Sequence, residues 1–63
     1  MTREAYELLQ IEEADAWFEY LETTSGHTGT RYFEVEPWAW ARLVQRLRAI
    51  AAHRRRLGAA EAA

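Results

Sequence analysis

Acidic and basic residues are segregated along this chain. Residues 1–36 carry Glu4, Glu7, Glu12, Glu13, Asp15, Glu19, Glu22, Glu34 and Glu36 against Arg3 and Arg31, a formal charge of −7. Residues 37–63 carry Arg42, Arg46, Arg48, Arg54, Arg55 and Arg56 against Glu61, a formal charge of +5. The net −2 conceals this polarity. A chain so divided is built to bring its halves together, to meet another copy, or to meet an oppositely charged partner. The sign changes at Pro37, the only proline, a residue favoured at the first position of a helix.

Size makes the pairing matter. At 63 residues and 7.4 kDa the chain is one domain at most. Surface scaling gives about 4,200 Å² folded against about 10,700 Å² unfolded, so roughly 60% of the surface is buried. The hydrophobic gain from that burial is close to the conformational entropy it must offset. The chain has no cysteine, so neither a disulfide nor a thiolate zinc site can staple it. Association with itself or with a partner is the remaining staple. The aromatic load agrees: Tyr6, Trp17, Phe18, Tyr20, Tyr32, Phe33, Trp38 and Trp40 exceed what so small a core can cover, and aromatics are enriched in interface cores.

Glu4, Glu7, Glu12 and Glu13 interrupt any apolar run near the start, so no secretory signal is read there, and no stretch approaches a membrane span. A soluble, cytoplasmic protein is expected. All eight basic residues are arginine, which together with the alanine content points to a high-GC coding sequence, bacterial or phage.

Residues 3–23 are expected to be helical, with strong helix formers and no glycine or proline. Thr2 suits the N-cap, and Glu4 and Glu7 suit the positive end of the dipole. Ile11, Ala14, Phe18 and Leu21 recur at 3-4-3 spacing as one apolar stripe, while Tyr6, Trp17 and Tyr20 form a second, displaced around the cylinder. So wide an apolar arc implies more than one neighbour. Gly26 marks the stop. Residues 24–36 are expected to form an extended connection, with strand-like composition over Arg31–Val35. Pro37 then opens a second helix to about residue 57, on the stripe Trp40, Leu43, Leu47, Ile50, Arg54 and Leu57, widened by Val44 and Ala51. Gly58 is the expected stop, with a frayed tail over 58–63. The expected fold is all-α: a two-helix antiparallel hairpin with an extended connecting loop, one domain over 1–63, completed by oligomerisation or a partner. Ile11, Phe18 and Leu21 are expected to face Trp40, Leu43, Leu47 and Ile50.

Chemistry-bearing patterns are sparse. Glu12, Asp15, Glu19 and Glu22 form an acidic ridge, but no histidine follows a glutamate at the spacing that carboxylate-bridged metal bundles use. Ser25 and His27 have no scaffold to make a base-activated nucleophile. No catalytic, cofactor or metal residue is assigned, and the chain is read as a non-enzyme. Tyr6, Trp17, Tyr20 and Trp38 are the expected partner-binding residues, because interface hot spots favour such rings. Arg46, Arg48, Arg54, Arg55 and Arg56 are the candidates for phosphate contact. A pI near 5.6 sets the chain apart from the basic domains typical of nucleic-acid binders. The expectation is therefore a protein–protein interaction module: a subunit, adaptor, inhibitor or homo-oligomer. The alternative is a small regulator touching nucleic acid through the arginine-rich helix end.

Overall fold

The computed structural model describes residues 2–62, with side chains from residue 3 onward; the capping role expected of the Thr2 side chain lies outside them. The chain is an all-α antiparallel hairpin of α1 (Thr2–Thr24) and α2 (Gly29–Ala62). α1 ends close to where its composition predicts. The Ser25 amide donates to the Leu21 carbonyl at 2.9 Å and the Thr24 hydroxyl to the Tyr20 carbonyl at 2.9 Å. Gly26 then takes φ 81°, the left-handed conformation in which a Cβ is strained.

The connection is shorter than the sequence pattern predicts. Residues 25–28 alone link the helices, and Gly29 opens α2 with φ 57°. The segment Arg31–Val35 is helical, not extended. A lone strand would leave its backbone groups unpaired, whereas winding satisfies them within the segment. The Tyr32 amide donates to the Thr28 carbonyl at 3.4 Å, Arg31 pairs with Glu34 one turn on at 3.7 Å, and the Tyr20 hydroxyl donates to Glu36 Oε2 at 2.7 Å. Pro37 therefore lies inside α2 rather than at its first position. It supplies no amide to the Phe33 carbonyl four residues back, a cost of about 3 kcal/mol in a helix interior. The helix likewise continues past Gly58, which has no positive φ and sits against α1: a Cβ there would lie 3.9 Å from the Tyr6 hydroxyl.

The two helices form a single layer. The Cα trace spans 51 × 16 × 7 Å, and at 1.5 Å per residue α2 alone accounts for the long dimension. α1 lies wholly alongside it, from Tyr6 beside Gly58 to Tyr20 beside Glu36 and Trp40. The first turn of α2 thus projects past the end of α1.

The seam between them buries Leu9 and Ala16 of α1 and Ala39, Leu43 and Ile50 of α2. On α2 this agrees with the predicted stripe, with Val44, Leu47, Ala51 and Leu57 half-buried beside it and Trp40 at its margin. On α1 the predicted face is corrected. Ile11, Phe18 and Leu21 are 63%, 60% and 60% exposed, and the packed stripe is Tyr6, Leu9, Glu13, Ala16 and Tyr20. Two physical features favour it. Ala16 and Ala39, both small and buried, permit close approach of the helices. The same rotation also sets Asp15, Glu19 and Glu13 beside arginines of α2.

Adjacent leucines test the phase of α1. Leu9→Ala should cost about 2–5 kcal/mol, while Leu8→Ala, at a 59% exposed position, should cost under about 0.5 kcal/mol in thermal melts followed by circular dichroism. The position of Pro37 is tested separately. Pro37→Ala should raise stability by about 1–3 kcal/mol, because it restores an interior helical bond; at a helix start the change would be close to neutral.

Candidate functional site

The single layer leaves two broad faces, and they differ in chemistry. One is a charge lattice. Glu19 accepts hydrogen bonds from Arg42 and, at 3.2 Å, from Arg46 Nη1; Arg46 Nη2 reaches Asp15 Oδ2 at 3.1 Å. These pairs cross the seam and join the acidic ridge of the first half to the basic second half. The Arg42 guanidinium, hydrogen-bonded to Glu19, holds that carboxyl below the usual value against the opposing effect of partial burial, and Arg42 is raised by the same contact. The pairs are largely exposed, so they set register and rotation more than stability. An open groove of about 350 Å³ lies on this side, lined by Glu19, Tyr20, Thr23, Trp38, Arg42 and Gln45.

At 100° per residue, Trp17 and Leu21 leave α1 on the opposite flank from Asp15 and Glu19, and Trp40, Val44 and Leu47 leave α2 on the opposite flank from Arg42 and Arg46. Together they make the second broad face, which is apolar. Trp17 is 42% and Trp40 48% exposed. Tyr20 bridges them from within the seam, edge-on to Trp17 at 6.3 Å and to Trp40 at 5.9 Å between ring centroids. The apolar surface continues over the outer edge of α1 through Phe18 and Ile11, and onto the projecting turn of α2 through exposed Phe33. Toward the far end Arg54 pairs with Glu13 at 3.7 Å.

The expected partner-binding residues divide. Trp17 lies on the apolar face, and Trp38, 80% exposed, lines the groove on the charged side. Tyr6 and Tyr20 are half-buried in the seam, Tyr6 beside Gly58 and Tyr20 bonded to Glu36. Of the phosphate candidates, Arg46 and Arg54 are engaged by carboxylates, while Arg48, Arg55 and Arg56 join no ion pair among the described residues. Leu21, Phe18 and Trp40 are surface residues that periodicity alone assigns to the core; the signal that bore on them was the width of the apolar arc. Among the described residues no three acidic or histidine side chains come together as a metal site, and no helix is long and apolar enough to cross a membrane. No family model, curated protein or solved structure matches the chain.

The seam carries one titratable contact with a readable consequence. The hydrogen bond to Glu36, with burial adding to it, pushes the Tyr20 phenol up from 10 to about 12. A folded-state pKa above the unfolded value means the contact stabilises the hairpin fully below pH 10 and is lost as pH rises through about 12. An absorbance titration at the phenolate band should show this late step, and Tyr20→Phe should remove it together with the alkaline loss of helix.

Proposed function

We propose that this chain is a non-enzymatic protein–protein interaction module whose docking surface is the apolar broad face of the hairpin. The observation that supports the reading is the exposure of Trp17, Leu21 and Trp40 on one face, continuous with exposed Phe18 and Ile11. Trp and Tyr supply large, rigid, low-entropy contact area and dominate interface energetics. The carboxylate–arginine lattice occupies the other face, so docking on the apolar side buries none of its ions. Binding by burial of this face is driven by apolar area and keeps its strength as salt rises, unlike phosphate contact through arginine.

Leu21→Glu tests the reading. Its side chain is 60% exposed, so the substitution spares the seam and should leave helix content in place. It should weaken association by about 10- to 30-fold, the effect of losing a hot-spot contact of about 2 kcal/mol. Tryptophan quenching by acrylamide should rise with it, as Trp17 and Trp40 become uncovered. Equal association and equal quenching in the variant and the parent would rule out this face as an interface.

A further inference from the structure

We propose that the occupant of the apolar face is a second copy of this chain, the two hairpins stacking face to face so that α1 of each copy lies over α2 of the other. The proposal rests on the interaction reading above and names its partner.

The surface excess fits one such contact. The hairpin exposes 5022 Å², whereas a compact monomer of its mass exposes about 4,200 Å². The difference, about 800 Å², is what one partner contributes to a standard stable interface. The radius of gyration is 15.1 Å, where a compact 63-residue domain has about 11 Å. A single layer of two helices lacks the second layer that gives a domain its core, and stacking a copy on it supplies that layer.

Charge then selects the arrangement. Two layers can be stacked by a two-fold axis in two ways. In one, α1 lies over the partner's α1 and α2 over its α2. In the other, with the axis parallel to the helices, each α1 lies over the partner's α2. Over Thr2–Thr24, α1 carries seven carboxylates against Arg3, or −6. Over Gly29–Ala62, α2 carries seven arginines against Glu34, Glu36 and Glu61, or +4. Packed helix axes lie about 8–10 Å apart, close to one Debye length at physiological salt, so the first stack sets like against like and the second sets opposites together. Both stacks make every neighbouring pair of helices antiparallel, as in an up-down four-helix bundle, so charge is what separates them. The second brings the Glu13–Arg54 pair over the partner's Arg54–Glu13 pair, so this ion pair beside the apolar face becomes half of a four-charge cluster. An isologous contact of this kind closes on itself and stops at two copies.

Mass and arrangement are measured on the whole chain. Light scattering at micromolar concentration should give twice 7.4 kDa, and Leu21→Glu should raise the dimer dissociation constant at least 10-fold. The chain has no cysteine, so Ala14→Cys and Ala51→Cys, two small changes at one level of the apolar side, each place a single thiol. Refolded together and treated with a short bis-maleimide, the two variants should yield a cross-linked dimer, and neither should cross-link alone. Cross-linking of the Ala14→Cys variant by itself would show α1 over α1 and overturn the arrangement. A 7.4 kDa species at every concentration would overturn self-pairing. If that monomer bound a purified heterologous protein and lost it on Leu21→Glu, the interaction reading would stand without self-pairing. If Leu21→Glu altered no association of any kind, both would fall.

Discussion

The seam between α1 and α2 is the constraint on which the rest depends. Two helices can bury only one stripe each against one another, and here those stripes are short and lightly filled: Leu9 and Ala16 against Ala39, Leu43 and Ile50. Alanines bring the helices close, and among the described residues the two leucines are the largest side chains that are fully enclosed. Ile11, Phe18, Leu21 and Trp17 are displaced outward by geometry. A cylinder that spends one arc on its partner has the remainder facing solvent, and α1 has apolar residues on both arcs.

Charge has a different part. The Arg42–Glu19 and Arg46–Asp15 contacts are largely exposed and Arg46–Glu19 is half-buried, and exposed ion pairs contribute about 0–1 kcal/mol each. They are all on one flank of the seam, however, and that placement fixes the rotation of each helix about its own axis. With the lattice on one side, the tryptophans and leucines at complementary helical phases are left on the other. The polarity that divides the chain into acidic and basic halves is thereby turned into a division between two faces of a thin slab. Tyr20 links the two, packing edge-on to Trp17 and Trp40 while its hydroxyl serves Glu36.

Much of the architecture was legible before any tertiary contact. The helix formers of residues 3–23, the stop at Gly26 and the periodic stripe through Leu43 and Ile50 each report on one helix at a time, and each agrees with α1, the turn and α2. Charge order left the acid–arginine pairing open between the two halves, another copy and a partner; the structure places it across the seam. Residues 29–36 were misread because β-branched and aromatic composition over Arg31–Val35, followed by proline, carries the local signature of an extended segment. Continuity with a long helix, and the Tyr20 contact to Glu36, outweighed it. The candidate surface was half legible: the width of the apolar arc announced that α1 needs a second neighbour, but Tyr6 and Tyr20 were set on the outside and Phe18 and Leu21 on the inside.

The sequence by itself determined that there are two helices, that they run antiparallel, and that one is acidic and the other basic. Those properties are written in periodicity, in a glycine that tolerates φ 81°, and in the order of charges along the chain. The tertiary structure decided which stripe of α1 faces α2. Periodicity is a property of one helix and is satisfied equally by either stripe. The choice between them is made by two-body terms, the approach of Ala16 to the other helix and the reach of Glu19 to Arg42 and Arg46, and these exist only once the helices are side by side.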